Sequence, residues 1–187
     1  MSFCLYQLAL NKNIQEHVRK EVFQVKKKNN GILNYEFLGE LHYLEMVIHE
    51  TLRMYPPFEI LRNTTKSYQI PDEDFVIEKN TKIVISAYCI HMDPKYYPDP
   101  MKFDPERFSP EEKAKRPNST FLPFGVGPRI CLGNRFAIMV LKVAISQILM
   151  RYEILPCEKT PIPMKLDTRS FIMRSKNGMW LNFQPIE

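Results

Sequence analysis

The sequence predicts a mainly α-helical fold with small β-sheets, an α+β arrangement within one domain. Three observations predict it: long apolar stripes at helical spacing, short strand-like runs between turn residues, and an aromatic, proline-punctuated stretch without a lasting period. The chain has 187 residues, 44% of them hydrophobic, which is enough for one core. Its 15 prolines against 6 glycines point to much irregular chain, with glycines kept for particular places.

The elements follow in order. "SFCLYQLAL" is apolar and helical from its first residues, which reads as entry in mid-structure and so as a fragment of a longer protein. Asn11 is a plausible N-cap for "KNIQEHVRKEVFQVKKK", where Ile14, Val18, Val22 and Val25 form one stripe. Lys26–Lys28 suit the helix's C-terminal end. A second helix is predicted from Tyr35 to Tyr55, with Phe37, Leu41, Leu44, Ile48, Leu52 and Tyr55 in register and Pro56-Pro57 as its stop. "SYQIP", "DFVIEKN" and "KIVISAYCI" read as strands. From His91 to Pro123 the chain reads as a compact meander. A third helix starts near Leu132, and Phe136, Val140, Leu141, Ala144, Ile145, Ile148, Leu149 and Tyr152 predict that it is deeply buried. In the tail, "KNG" between "SFIMR" and "MWLNF" predicts a tight hairpin.

Charge and cysteines narrow the chemistry. A net charge of +5 and a pI near 9.0 permit an acidic partner, but no nucleic-acid module accompanies them, and a basic solvated surface explains them as well. Cys4, Cys89, Cys131 and Cys157 show no zinc-like spacing, and their low density argues for free thiols in a reducing compartment. No run approaches the ~20 apolar residues of a membrane span.

Two places could carry chemistry. Glu50 and Arg53 in "HETLR" share a helix face. Alone they read as a surface pair worth a few tenths of a kcal/mol; Arg107 in "FDPERF", between Phe103 and Phe108, offers the further partner that a buried knot would need. The stretch "PFGVGPRICLGNRFA" fails the dinucleotide fingerprint, because Ile130 stands where the third glycine is required. It fails the phosphate loop for want of a lysine. A nucleophilic cysteine stays open, with no particular histidine to activate it. A haem-iron ligand fits more of the stretch. Backbone amides and the start of a helix would stabilise the thiolate, and Gly125, Gly127 and Gly133 would let the backbone approach a macrocycle. Arg129 could hold a carboxylate and Phe124 could screen the sulfur.

Together these features resemble the cytochrome P450 family. "FGVGPRICLG" matches its signature F-x-x-G-x-[RH]-x-C-x-G at Phe124, Gly127, Arg129, Cys131 and Gly133; "ETLR" and "FDPERF" match its E-x-x-R helix and meander, and "YPP" and "HMDP" follow in order. The pattern is most similar to animal microsomal members, above all insect enzymes that oxidise foreign compounds. The resemblance covers the C-terminal portion of that fold across residues 1–187, without the N-terminal part and its membrane anchor.

The resemblance implies haem b (iron protoporphyrin IX) with Cys131 as axial iron ligand. Phe124, Gly125, Arg129 and Gly133 would surround it, and Arg62 would serve a propionate, because Asn63 stands where relatives carry arginine. Glu50, Arg53 and Arg107 would form a structural triad. Phe58, Glu59, Ile60 and Leu61, with Thr168, Arg169, Ser170 and Phe171, would line the substrate pocket. Lys113, Lys115, Arg116 and Arg135 could face an acidic electron donor: NADPH–cytochrome P450 reductase, with cytochrome b5 as a second candidate. The implied parent is a monooxygenase of lipophilic small molecules on the cytoplasmic face of the endoplasmic reticulum membrane. It would take NADPH electrons only through the reductase, bind no nucleic acid, and touch the membrane through the anchor alone. The alternative is a truncated, non-catalytic haem binder. Two further departures are Met92 for arginine in "HRDP" and Asn80 for glycine in "KGT"; asparagine tolerates positive φ.

Overall fold

The computed structural model describes residues 1–30 and 34–186. Helix α1 (Ser2–Leu10) meets α2 (Lys12–Lys28) at Asn11. Ile14, Val18, Val22 and Val25 turn to the core as the stripe predicts. Asn11, however, makes no side-chain cap to α2. Its Nδ2 donates to Gln7 O at 2.9 Å and closes the last turn of α1 instead. Two polar residues on α2 are buried as well. Gln15 Nε2 donates to Leu8 O at 3.0 Å and Ile154 O at 2.8 Å, while Arg19 Nε donates to Leu149 O at 3.0 Å. These bonds satisfy backbone carbonyls that the packing removes from water.

The single helix expected from Tyr35 to Tyr55 is two: α3 (Tyr35–Gly39) and α4 (His42–Met54). The cause lies elsewhere in the chain. The Glu21 carboxylate on α2 accepts from Tyr43 N at 2.7 Å and Leu44 N at 2.9 Å, so it caps a helix that starts afresh after Leu41. The end of α4 before Pro56-Pro57 is as expected. Leu44, Val47, Ile48 and Met54 join residues of α1 and α2, together with Ile145, Leu149 and Ile154, in the main core.

Strand β1 (Ile60–Asn63) pairs antiparallel with β4 (Lys82–Ile85), and β2 (Tyr68–Gln69) pairs with β3 (Val76–Ile77). Asn80 turns the chain into β4 at φ 66°, the conformation for which asparagine substitutes for glycine. The strand expected over "KIVISAYCI" stops at Ile85. Ser86 Oγ accepts from Cys89 N at 3.2 Å and starts α5 (Ala87–His91). The meander is compact, with a 3₁₀ turn at Pro105–Phe108 and α6 at Pro110–Ala114. Tyr97, Phe103, Phe108 and Leu122 are its buried anchors.

Helix α7 (Asn134–Leu149) is buried only on one side, at Lys142, Ile145, Ser146 and Leu149. Phe136 is 66% and Val140 46% exposed, which corrects the expectation of deep burial. Tyr152 has left the helix and opens β5 (Tyr152–Pro156). The expected tail hairpin is also corrected. Residues Lys176–Gly178 do turn, but β6 (Leu181–Pro185) pairs with β5 rather than with "SFIMR". The longer β5 edge offers five paired positions, whereas "SFIMR" forms no strand and the neighbouring Ser175 makes an isolated bridge to Leu166. Among the described residues, no helix is long and apolar enough to cross a membrane.

Candidate functional site

Arg53 and Glu50 sit one turn apart on α4, and neither side chain has exposed surface. The guanidinium makes a fork, Nε to Glu50 Oε2 at 2.7 Å and Nη2 to Oε1 at 2.8 Å. Its outer nitrogens reach the meander, with Nη1 donating to His91 O at 2.9 Å and Nη2 to Pro100 O at 2.8 Å. Burial pushes the Glu50 carboxyl upward, and Arg53, the Asp104 amide at 2.9 Å and Arg107 oppose it. Arg107 Nε stands 3.6 Å from Glu50 Oε1 and its Nη2 donates to Asp99 O at 3.0 Å. The buried knot therefore replaces the surface-pair reading. Met92 Sδ lies 3.6 Å from Arg53 Nη1, a place where an arginine would set two like charges together.

The cysteine loop is closed by its own backbone. Gly125 N donates to Leu122 O at 3.1 Å, Ile130 N to Gly127 O at 3.0 Å, and Cys131 N to Phe124 O at 2.9 Å. Gly125 and Gly127 take φ of 75° and 77°, which side chains would strain. The Cys131 thiol is exposed, and α7 begins three residues later. Beside it opens a cavity of about 320 Å³. Phe58, Leu61 and Arg62 line one side, with Phe124, Arg129 and Cys131 on the other. The structure thus brings the cysteine loop and β1 together.

The remaining sequence-derived residues divide. Phe58 and Phe171 meet with ring centroids 6.0 Å apart, so the two proposed pocket segments are neighbours. Ile60 is a buried member of a small core with Ala87 and Leu122. Glu59 accepts from Ser86 Oγ at 3.0 Å and Ala87 N at 2.6 Å, so its carboxylate caps α5 rather than facing a ligand freely. Arg169 leans on Asp167, which Arg174 and Arg169 together hold below the usual carboxylate range; Thr168 and Ser170 follow that turn. Asn63, with its amide nitrogen toward the carbonyls of Asn80 (3.2 Å) and Thr81 (3.1 Å), belongs to the β-hairpin turn. Arg62 reaches only Leu61 O, at 2.8 Å, and lines the cavity. Of the four basic residues expected to face a donor, Arg116 stacks over Tyr97 at 4.6 Å and bonds Arg107 O, and Lys115 pairs with Glu112. Lys113 and Arg135 are the less engaged pair among the described residues, and both are exposed.

The donor set fits an iron protoporphyrin. An added Cβ at Gly127 or Gly133 would meet nothing within 4 Å, so the loop presents open space for a flat ring. A thiol and two guanidiniums suit a metal and two carboxylate arms. Phe58 and Leu61 add exposed apolar side chains to the cavity that would suit the face of such a ring.

Sequence reasoning missed two buried groups. Lys142 Nζ donates to Leu38 O at 2.9 Å and pairs with Glu45 at 2.6 Å, joining α7 to α3 and α4. Burial works against the Glu45 carboxyl, but the ammonium outweighs it and holds it below the usual range. A lone lysine inside an apolar helical run was the available signal. His91 is the other; its motif was noted, its chemistry was not.

Comparison with known proteins agrees with this geometry. The family model described as Cytochrome P450 matches residues 1–182. The chain is 46% identical over its whole length to "Probable cytochrome P450 6a13" of Drosophila melanogaster, covering 38% of that protein. It is 44% identical to "Cytochrome P450 6k1" of Blattella germanica over 98% of its own length and 35% of the relative's. It thus spans little more than a third of the length of these relatives. With its signature loop, buried Glu–Arg knot and meander in one register, the chain belongs to the cytochrome P450 family.

Proposed function

We propose that this chain is the C-terminal haem-binding portion of a haem-thiolate monooxygenase, with Cys131 as the axial iron ligand. The observation that carries the reading is the cavity shared by Cys131, Arg129 and Arg62, walled by Phe58, Leu61 and Phe124. When bound, thiolate-ligated haem supplies O–O bond cleavage and oxygen insertion. The chain's residues do the holding. The Phe124 and Gly125 turn fixes the sulfur, α7's N-terminus favours its negative charge, and Phe124 limits water beside it. Arg129 and Arg62 orient the ring through its carboxylates. The Glu50–Arg53–Arg107 knot clamps α4 to the meander that leads into the loop.

Phe58, Leu61 and Phe171 form an apolar edge suited to a lipophilic small molecule. The parent protein would insert one atom of O2 into such a substrate with NADPH-derived electrons, delivered by the reductase, at the endoplasmic reticulum membrane. Lys113 and Arg135 are the residues left to meet an acidic donor. The test is to load the chain with haem, reduce it and add carbon monoxide. The expected result is the red-shifted Soret band of thiolate-ligated iron, lost in Cys131→Ala. Persistence of the band in that variant overturns the assignment. A band without product, when reductase and NADPH are supplied, identifies the chain as a non-catalytic haem binder.

A further inference from the structure

His91 has no exposed surface and joins three elements. Its Nδ1 lies 3.1 Å from Arg53 O, and its Nε2 accepts from Leu122 N at 2.8 Å. The carbonyl can only accept and the amide can only donate, so the ring is the neutral tautomer with its proton on Nδ1. The His91 carbonyl in turn accepts from Arg53 Nη1 at 2.9 Å. Phe121 stacks on the ring with centroids 5.5 Å apart, and Tyr97 meets its edge at 6.4 Å while donating to Thr120 O at 3.0 Å. The backbone from Thr120 to Leu122 is therefore held from two sides where it enters the cysteine loop. From Leu122 the bonds continue to Gly125 N and, through Phe124 O, to Cys131 N.

We propose that His91 is a positioning residue for Cys131: it sets the cysteine loop against the Glu50–Arg53 helix by donating to one and accepting from the other. This rests on Cys131 being the haem ligand. Imidazole carries a donor and an acceptor on opposite edges of a rigid ring, and the two amide side chains each reproduce one of them. In His91→Asn the amide nitrogen sits near Nδ1 and keeps the bond to Arg53 O. In His91→Gln the longer amide brings its oxygen near Nε2 and keeps the bond from Leu122 N.

The test uses the whole chain, with two readouts. Amide hydrogen exchange over the Phe121–Cys131 segment needs no haem. The thiolate-specific Soret band of the reduced carbon monoxide complex reports the iron ligand. Far-UV circular dichroism establishes equal folding. The expected result is exchange of that segment roughly tenfold faster in His91→Asn with loss of the band, and near wild-type behaviour in His91→Gln, as one lost buried hydrogen bond implies. Equal behaviour of the two variants overturns the proposal. If neither folds, the wild-type chain still decides: rapid exchange of the Leu122 amide overturns it, and slow exchange supports it. Absence of the band in wild type overturns the haem reading alone, because the exchange contrast stands without haem.

Discussion

Arg53 and Glu50 owe their stability to each other and to the meander carbonyls around them, since neither reaches water. Replacing Arg53 by leucine leaves a buried carboxylate with only the Asp104 amide at 2.9 Å and Arg107 at 3.6 Å. The expected cost is about 3–5 kcal/mol in urea unfolding. Arg53→Lys recovers little of it, because an ammonium cannot make the fork and reach both backbone carbonyls. The arginines of the cavity give a second expectation. Arg129→Leu and Arg62→Leu each weaken haem binding by roughly ten- to a hundredfold, the loss of a charge-assisted pair of about 1.5–3 kcal/mol. Asn63→Leu leaves haem affinity unchanged, because that amide faces Asn80 and Thr81. Haem titration of the three variants checks both statements, and a large loss at Asn63 would exchange its role with that of Arg62.

At the scale of elements, Glu21 decides where α4 begins. Glu21→Ala removes the acceptor for Tyr43 N and Leu44 N and is expected to lower stability by about 1 kcal/mol, with fraying of the first turn seen by amide exchange. The same residue explains what the sequence could and could not disclose. The stripes on α2 and α4 and the three motifs were legible because their information is local and periodic. The break at Gly39–Leu41 was not, since its cause sits on another helix. Ser86 and Glu59 turned a strand-like apolar run into α5 in the same way. The exposed side of α7 escaped for a different reason: periodicity reports an apolar face, and it does not report whether anything covers it. The Glu50–Arg53 pair was readable to the residue, and so was the loop that carries Cys131 and Arg129, whereas the partners of His91 and Lys142 emerged only from the structure.

For the molecule as a whole, two histidines set the response to acid, His91 fully buried and His49 half-buried. Burial pushes His49, which faces Glu45, Lys113 and Lys142, down to about 4, and His91, beside Arg53 and Tyr97, down to about 4 as well. Unfolded, both titrate near their ordinary 6.5. Between these values the unfolded chain binds protons that the folded chain refuses, so their contribution is complete above 6.5 and declines as pH falls toward 4. Glu50, pushed upward by burial, works in the opposite sense. The urea midpoint is expected to be lower at pH 5 than at pH 7, and His91→Gln is expected to flatten that dependence. A midpoint that rises on acidification contradicts this balance.

The whole arrangement converges on one sulfur: a helix clamped by Glu50 and Arg53, a meander docked on it, and a glycine turn that leaves Cys131 exposed beside two arginines. X-ray absorption at the iron edge of the haem-loaded chain tests that convergence most directly. The account predicts an iron–sulfur scattering path in the wild type that vanishes in Cys131→Ala while the ring nitrogens remain. An iron coordinated only by nitrogen and oxygen in the wild type, or an unchanged sulfur path in the variant, would contradict it.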